Sequence, residues 1–509
     1  MHLTFRDFCL LLILLAVALV SRVVVIGWGL PPATPQVAAS GIRSSYAFDE
    51  DDVLTPLSFT RPDKHDFDPR QYQWGTLHLY VVLASLEAAE RVGYLHHPWR
   101  TSFYDLLPND FERVYAAGRV VSIIAALVSI AATFFLALRF VGKVASFWAA
   151  ILIAASPAHL LGSAQIRVDL TATALAIISA WLGIRAGRTG TSAAFFTFGV
   201  VAGSAVAAEY SAIFMVIPGL VVALASHRFA PRRTCAALLG VTGGFLLGEP
   251  SILMKPSAVT EQVLSALQKS RAIPAAFRIP AGELLRIDAL HSVRFLIGAP
   301  AAVLALVGLA IMLRRIKLED RIVLAALGGG IVSLVPLLWP MLRYQLPLLP
   351  FLAIAAAVAL DKIPRAWRFA VGVIALILPL AATVDQIRFM RAPHPANLML
   401  PVILNRVPPG TALARLVAEV PPLDRKTYPM GLNPLLDNLS ANPPAWVLLV
   451  DLPTQPYPLT TTRLLRDHYE VISRAEDRPL FPWATLGVVG APYDWKYTHP
   501  ALTLYRRRT

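Results

Sequence analysis

The sequence predicts a mainly α, polytopic membrane protein of about eleven transmembrane helices, with a small C-terminal α/β domain outside the membrane. Of its 509 residues, 56% are hydrophobic and only 15% are charged, whereas a soluble globular domain carries about 25% charged residues. The mean hydropathy is +0.58. Apolar runs long enough to cross a hydrocarbon core of about 30 Å recur along the chain. They cover residues 8–29, 113–138, 144–161, 168–187, 193–208, 210–226, 234–254, 291–313, 321–340, 343–361 and 366–384.

Lysine and arginine collect in every second short loop between these runs. Because basic residues favour the cytoplasmic side of a membrane, this pattern places the N-terminus inside. The long insertions at 30–112 and 255–290, and the chain after about 385, then lie outside, in the periplasm of a bacterial inner membrane. The inner loops explain much of the net charge of +14, so we expect no nucleic-acid partner. Their basic residues are Arg139, Lys143, Arg185, Arg188, Arg228, Arg232, Arg233, Arg314, Arg315, Lys317, Arg321, Lys362, Arg365 and Arg368.

Two apolar segments need separate treatment. The first run lacks a clear small-residue cleavage site, so we expect it to be retained as a helix and not removed as a signal peptide. Residues 77–86 are apolar but are followed at once by Glu87, Glu90 and Arg91, and a span here would place every later basic loop outside. We therefore expect an amphipathic helix on the outer leaflet.

The chain changes character at about residue 386, where proline and charged residues appear throughout. We divide it into a membrane domain, 1–385, and a small outer α/β domain, 386–509. The Pro-rich stretch 393–409 is interpreted as a linker. Within the outer domain the pattern predicts strands at 446–451, 486–489 and 502–505 and a short amphipathic helix at 461–469.

Four consecutive acids follow the first predicted span: Asp49, Glu50, Asp51 and Asp52. Carboxylates are costly near a bilayer, so a cluster of them there indicates a functional site. Such acids could also bind a hard divalent cation, but no second set of ligands accompanies them. We therefore expect no cofactor and keep a metal ion at this cluster as the less favoured alternative. Cys9 and Cys235 lie in predicted spans and indicate neither a disulfide framework nor a metal site.

Other polar residues are predicted to reach the same outer face, because they lie at the outer ends of different spans. A mixture of carboxylates and guanidinium groups at one membrane face suits a reaction on an anionic substrate that is anchored in the membrane. These residues are Arg167 and Asp169 at the start of the fourth span, Glu209 and Tyr210 between the fifth and sixth, Glu249 at the end of the seventh, and Arg343 and Tyr344 at the start of the tenth.

Five short motifs carry a resemblance to a known family. In order along the chain they are Asp49-Glu50, SAQIRVDL, AAEYSAIFMVIPGL, GEPSIL and RYQLPLLPFLAIAAA. Their order and spacing resemble those of the GT-C membrane glycosyltransferases, in particular the branch of the protein O-mannosyltransferases and the lipid A aminoarabinose transferases. The likeness covers residues 8–385.

The resemblance implies transfer of a hexose or pentose from a polyprenyl-phosphate donor to a lipid, glycan or protein acceptor on the outer face, with inversion. It implies that Asp49 is the general base and that Glu50 orients it or binds the sugar. Asp169 would bind substrate hydroxyls. Arg343, or secondly Arg167, would stabilise the leaving phosphate. We assign Tyr344 and Glu209 to substrate binding as well.

The chain departs from the family at two places. Relatives often carry Lys-Pro-Pro or Tyr-Pro-Pro at the end of the first outer loop, where this chain has Tyr72-Gln73-Trp74-Gly75. Relatives also commonly have Lys-Tyr after the fifth span, where Glu209-Tyr210 occurs here. Two cations that could hold the donor phosphate are therefore missing. Arginines of the second large outer loop are candidates to replace them: Arg271, Arg278 and Arg286.

The sequence also allows simpler interpretations of these polar residues. The acidic run is also typical of a solvated loop, Arg167 and Asp169 of a helix start, and Arg343 of an interfacial anchor. The alternative functions are a transporter or flippase for lipid-linked sugars, a polymerase or ligase of polysaccharide chains, and a non-catalytic envelope assembly protein. A transporter should concentrate its polar groups near the bilayer midplane on broken helices.

Overall fold

A computed structural model describes residues 3–32, 45–47, 49–96, 99, 108–271, 293–334, 341–415, 420–424, 426–434, 437–451, 457–484, 493–496 and 498–508. The protein is mainly helical, which confirms the predicted class. The helices are α1 Phe5–Val23, α2 Asp51–Ser58, α3 Leu77–Arg91, α4 Pro108–Ala137, α5 Lys143–Ala154, α6 Pro157–Ser163, α7 Val168–Thr189, α8 Ser192–Ala208, α9 Ile213–Ala225, α10 Pro231–Gly248, α11 Ser251–Met254, α12 Pro256–Arg271, α13 Val293–Leu296, α14 Ala299–Arg315, α15 Leu318–Leu334, α16 Leu349–Lys362, α17 Arg365–Arg391, α18 Pro395–Arg406, α19 Leu459–His468 and α20 Tyr493–Lys496.

Each predicted span overlaps a helix in the described part of the chain. Among the described residues, four stretches are long and apolar enough to cross a membrane, and the pair α5 and α6, which bends by 58°, would be a fifth. The count of eleven spans therefore stays a prediction, because several of the other helices are shorter than the roughly 20 residues that a straight span needs. The four stretches are Asp110–Ala137, Val168–Thr189, Leu342–Lys362 and Arg365–Arg406.

Glycines allow α8 and α10 to approach closely. Gly199 and Gly203 lie four apart in α8, and Gly240 and Gly244 lie four apart in α10. A Cβ added at Gly203 would lie only 2.1 Å from the carbonyl oxygen of Val241. Small residues at this spacing are typical of helix pairs whose backbones touch in a membrane.

Ion pairs join segments that were predicted to lie together on the inner side. The Lys143 ammonium lies 2.6 Å from the carboxylate of Asp7, which ties the start of α5 to the start of α1. Arg188 at the end of α7 pairs with Glu319 at the start of α15. These two ion pairs join connections that were predicted to share one side of the membrane. The topology itself stays a prediction.

Residues 77–86, which were not counted as a span, lie in helix α3, as predicted. Its apolar face, which includes Leu79, Val82 and Leu86, is buried. The hydroxyl of Ser85 donates a hydrogen bond to the carbonyl of Ala117 in α4 at 2.7 Å. The helix is thus packed on the protein, and its position at the outer leaflet stays a prediction.

The tail contains a four-stranded sheet in the order β1-β2-β4-β3. Strand β1 pairs with β2 in parallel, and β4 pairs antiparallel with both β2 and β3. The structure confirms the predicted strands at 446–451 and 502–505 and the helix at 461–469, while residues 486–489 lie outside the described part. The strands are β1 Leu413–Arg415, β2 Trp446–Val450, β3 Tyr469–Ala475 and β4 Leu502–Arg507.

The prediction that the Pro-rich stretch 393–409 is a linker was wrong. Residues 395–406 form α18, because Pro395 occupies the first turn, where its missing N–H costs nothing, and His394 caps the helix. Buried side chains form one continuous core from the helices into the sheet, including Ile403, Leu413 and Leu448. The tail is therefore packed against the helical part, and the division of the chain at residue 385 into two domains stays a prediction.

Candidate active site

The first acid of the cluster, Asp49, meets two arginines from distant parts of the chain. Its Oδ2 accepts a hydrogen bond from Nη1 of Arg167 at 2.8 Å. The same oxygen also accepts one from Nη1 of Arg343. The side chain of Asp49 keeps 26% of its surface exposed, so the carboxylate is paired but accessible. The structure thus brings together three residues that the sequence had assigned to one site.

Arg167 is held from two sides. It precedes the first turn of α7, and its Nε donates to Oδ2 of Asp169 at 2.9 Å. Its backbone N–H donates to the hydroxyl of Ser122 at 3.3 Å. Asp169 lies in the first helical turn, where the helix dipole favours a negative charge. The guanidinium therefore bridges two carboxylates, those of Asp49 and Asp169.

Arg343 reaches Asp49 from the 3-10 turn Leu342–Leu348 that leads into α16. Its guanidinium lies over the ring of Tyr344, 5.1 Å from the ring centroid. Its Nη2 lies 3.4 Å from the Tyr344 hydroxyl, and its Nε has no hydrogen-bond partner among the described residues. Arg343 is thus held less completely than Arg167.

The two arginines control the charge of Asp49. Burial alone would raise the pKa of the Asp49 carboxyl, but the guanidinium groups of Arg343 and Arg167 hold the pKa well below its usual value. Asp49 is therefore ionised at neutral pH, and it is a weak base as long as both cations remain beside it.

Glu50 points into the protein and not toward the arginines at Asp49. Its two oxygens accept hydrogen bonds from Nε and Nη2 of Arg119 at 2.8 and 2.6 Å. They also accept from the hydroxyl of Ser45 at 2.5 Å and the backbone N–H of Ile166 at 2.8 Å. The side chain is only 1% exposed. Of the two roles suggested for Glu50, orientation of Asp49 fits this geometry better than contact with a sugar.

Arg119 extends the same network to the first helix. Besides pairing with Glu50, its Nη1 donates to the carbonyls of Ile26 and Trp28 at 2.7 and 2.6 Å. The network thus ties the chain after α1, the acidic cluster and the segment before α7 to one buried cation. The remaining acids of the cluster have other contacts: Asp51 accepts from the Tyr115 hydroxyl at 2.5 Å.

Glu209 lies near the same charges. One oxygen accepts a hydrogen bond from the Ser211 hydroxyl at 2.7 Å, and the other is buried without a partner among the described residues. Burial, with the charge of Asp169 as a second cause, raises the pKa of Glu209 to about 7. Glu209 and Tyr344 line a narrow cavity of about 10 Å³, which is room for about one water molecule.

Other predicted residues lie apart from this cluster or outside the described part. Glu249 accepts hydrogen bonds from the backbone N–H of Thr76 at 2.9 Å and the hydroxyl of Tyr210 at 3.0 Å, and so ties the start of α3 to the turn after α8. Of the arginines proposed as replacement phosphate ligands, Arg278 and Arg286 lie outside the described residues, and at Arg271 only the backbone of α12 is described. Among the residues that the structure describes, no group of three or more His, Cys, Asp or Glu side chains could hold a metal ion.

Sequence reasoning missed two residues of the site. Arg119 lies inside a predicted span, and a charge in an apolar run is itself a signal of a functional or paired residue. Asp494 lies in the tail and accepts hydrogen bonds from the backbone N–H groups of Leu342 and Arg343, both at 2.9 Å. Nothing around Asp494 in the sequence indicates this contact.

Comparison with known proteins gives a family match over part of the chain and a similar fold. Residues 103–253 match the family model of the dolichyl-phosphate-mannose-protein mannosyltransferases, and this segment contains Arg167, Asp169 and Glu209. No curated protein sequence matches the chain. The match confirms the predicted resemblance to the GT-C glycosyltransferases, in the protein mannosyltransferase branch.

Two solved structures, both of ArnT, show the same fold as this chain. ArnT from Cupriavidus metallidurans bound to undecaprenyl phosphate is 13% identical, with a TM-score of 0.50 over 97% of each chain. Its apo state is also 13% identical, with a TM-score of 0.50 over 98% of each chain. The archaeal oligosaccharyltransferase AglB from Archaeoglobus fulgidus, in complex with an inhibitory peptide and a dolichol-phosphate, is 12% identical, with a TM-score of 0.48 over 99% of this chain and 89% of that chain.

Proposed function

We propose that this protein is an inverting glycosyltransferase that moves a sugar from a polyprenyl-phosphate donor to a lipid, glycan or protein acceptor. The reaction takes place at the outer face of a bacterial inner membrane, with Asp49 as the general base. The observation that carries the proposal is the Asp49 carboxylate, shared by Arg167 and Arg343 in a chain with this family match and fold. The undecaprenyl phosphate bound to ArnT supports a lipid phosphate as the carrier.

The chemistry needs one base and one stabilised leaving group. The Asp49 carboxylate takes the proton of the acceptor hydroxyl while the hydroxyl oxygen attacks the anomeric carbon. The bond from that carbon to the phosphate oxygen breaks on the opposite face, and its electron pair leaves with the phosphate. The configuration inverts in this single displacement. The partly exposed Asp49 side chain is accessible to an acceptor.

Arg343 is the better candidate for the phosphate. Arg167 bridges two carboxylates, whereas Arg343 pairs with one and keeps an unpartnered Nε among the described residues. A guanidinium binds phosphate through charge-assisted hydrogen bonds, which are the stronger kind. In our proposal Arg343 turns from Asp49 toward the donor phosphate. Asp49 then loses one cation, its pKa rises and it becomes a better base when the donor is bound.

The remaining site residues have supporting roles in this proposal. Glu50 and Arg119 orient Asp49 through their buried ion pair. Asp169 keeps Arg167 in place, and Glu209 and Tyr344 face the side on which the sugar is bound. The cavity there is smaller than a sugar ring, so binding requires these side chains to move apart.

The transporter alternative predicts a different arrangement. A path across the membrane needs polar groups distributed along it. Here the charges at Asp49 come from a connection after α1, the residue before α7 and the turn before α16, and they form one compact cluster at the ends of these helices. We therefore favour the enzyme.

The test is sugar transfer in reconstituted vesicles, with a panel of polyprenyl-phosphate sugars and with lipid, glycan and protein acceptors. We expect Asp49→Asn to abolish transfer. The matched control is Asp52→Asn, which removes a carboxylate charge three residues after Asp49. The Asp52 carboxylate accepts a hydrogen bond from Gln73 at 3.5 Å. This variant should retain transfer. Equal activity in wild type and Asp49→Asn would refute the role of Asp49. Absence of transfer by the wild type with every donor would refute the enzyme. A parallel arm with a chelator tests the metal alternative.

A further inference from the structure

The C-terminal tail supplies a buried carboxylate to the turn that carries Arg343. Asp494 is only 4% exposed, and its two oxygens accept hydrogen bonds from the consecutive backbone N–H groups of Leu342 and Arg343. We infer that Asp494 is a positioning residue: it fixes the backbone of Arg343 so that the guanidinium reaches Asp49 and the donor phosphate. What this positioning achieves rests on the proposed function.

The Asp494 carboxylate contacts the backbone of Arg343, the residue whose side chain binds the donor phosphate in our proposal. The first N–H groups of a helical turn have no partner within the turn, and a buried N–H without a partner costs about 1–3 kcal/mol. Asp494 satisfies two such groups at once, at 2.9 Å each. The conformation from Met341 into the turn is thereby fixed, and with it the direction in which the Arg343 side chain leaves the backbone.

The segment around Asp494 is itself anchored to several parts of the molecule. Trp495 packs on Phe295 with ring centroids 4.6 Å apart. Lys496 Nζ lies 3.0 Å from the carboxylate of Asp451, which directly follows β2. His499 stacks on Phe389 of α17 with centroids 3.9 Å apart.

These contacts connect the sheet and helix α17 to the turn before α16. The tail is thereby a structural component of the site. Its folding determines where one of the two arginines at Asp49 is placed.

Small changes of placement have large effects at such a site. A misplacement of about 1 Å can cost about a hundredfold in rate. In Asp494→Asn, the amide oxygen still accepts one of the two backbone N–H groups, while the NH₂ group faces the other as a second donor. We expect this variant to raise the KM for the donor by about tenfold, which corresponds to about 1.4 kcal/mol, with a smaller change in kcat.

The chain offers a closely matched control in Asp385. This carboxylate, on α17, accepts the consecutive backbone N–H groups of Leu480 and Phe481 in the tail at 2.8 and 2.9 Å, and it is also 4% exposed. Asp385→Asn therefore disturbs the same kind of contact between the helices and the tail, away from Arg343. A general loosening of the tail would affect both variants equally.

Three measurements on the full-length protein in vesicles test the inference. The first is the KM and kcat for the donor. The second is the affinity for polyprenyl phosphate alone, and the third is amide hydrogen exchange of the segment 341–348. We expect Asp494→Asn to weaken the affinity about tenfold and to speed exchange in that segment, whereas Asp385→Asn leaves both at wild-type values. In an Arg343→Ala background, Asp494→Asn should have no further effect on affinity, because both changes act through one guanidinium.

The outcomes separate the two proposals. Equal effects of Asp494→Asn and Asp385→Asn, unchanged exchange of 341–348 in Asp494→Asn, or additive losses with Arg343→Ala would each overturn the role of Asp494. Failure of the wild type to transfer sugar from any donor or to bind polyprenyl phosphate would overturn the proposed function instead. Hydrogen exchange still decides the positioning of Arg343 in that case, because it requires no substrate.

Discussion

Removal of the Glu50 carboxylate should destabilise the protein far more than removal of an exposed acid. Glu50 accepts four hydrogen bonds, two of them from Arg119, which is completely buried. Glu50→Ala leaves the Arg119 charge in the interior without a carboxylate. Breaking a buried pair in this way costs about 3–5 kcal/mol. Arg119 keeps hydrogen bonds to two carbonyls, those of Ile26 and Trp28, so we expect the lower end, about 3 kcal/mol.

The assay is unfolding of purified protein in detergent, followed by tryptophan fluorescence, with the free energy of unfolding compared between variants. The control is Glu470→Ala, because the Glu470 carboxylate pairs with Arg506 at the surface and is 42% exposed. Exposed pairs contribute at most about 1 kcal/mol. The double variant Glu50→Leu with Arg119→Met removes both buried charges and should be more stable than Glu50→Ala alone.

Two results would refute this reasoning. One is a Glu50→Ala variant no less stable than Glu470→Ala, which would mean that the Glu50 and Arg119 pair is not buried as described. The other is a double variant that loses as much free energy of unfolding as Glu50→Leu and Arg119→Met lose together when each is made alone. Residues that interact directly should not behave additively. The expected result would establish that the buried pair of Glu50 and Arg119 stabilises the fold.

Three further outcomes follow from the geometry. Arg343→Ala removes a cation that keeps the pKa of Asp49 low, so the acid limb of a kcat/KM–pH profile should move to higher pH; an unmoved limb contradicts the pairing. Glu209, with a pKa of about 7, loses its charge below that pH, and Glu209→Gln should remove an inflection near pH 7 from the same profile. Gly203→Leu should lower the free energy of unfolding by about 1–3 kcal/mol or more, since its Cβ would lie 2.1 Å from a backbone oxygen of α10. The control in the same unfolding assay is Gly243→Leu, because the space at the Cβ of residue 243 is open.

Much of the fold could be predicted because hydrocarbon length is a local property of the sequence. A run of apolar residues must satisfy its own backbone hydrogen bonds in a membrane, and only a helix does so within one segment. The weak points were short elements whose patterns carry little information. Strand β3, Tyr469–Ala475, has a mixed burial pattern, and β1 is only three residues long, so neither shows the alternation that predicts a strand.

The Pro-rich segment 393–409 misled the sequence reasoning for a related reason. Proline breaks helices in their interior but is favoured in the first turn. Pro395 occupies that position in α18. Composition alone could not distinguish a helix start from a linker.

Part of the candidate site was also visible in the sequence. Asp49, Arg167, Asp169 and Arg343 were assigned to one membrane face, because each lies at the outer end of a predicted span, and the structure brings all four together. Their roles in catalysis stay predictions. The sequence could not show which of the four clustered acids turns toward the arginines, because neighbouring side chains in a short connection can point in any direction.

The sequence by itself determined the helical class, the order of the apolar segments and the set of polar residues at one end of them, since each depends on a local run of residues. Only the tertiary structure decided the partners. Glu50 turns inward to Arg119, Asp49 outward to two guanidinium groups, and Asp494, 151 residues beyond Arg343, orients that arginine from the tail. Such pairings depend on how distant segments pack, and a contact between residues so far apart leaves no trace in the local pattern of either one.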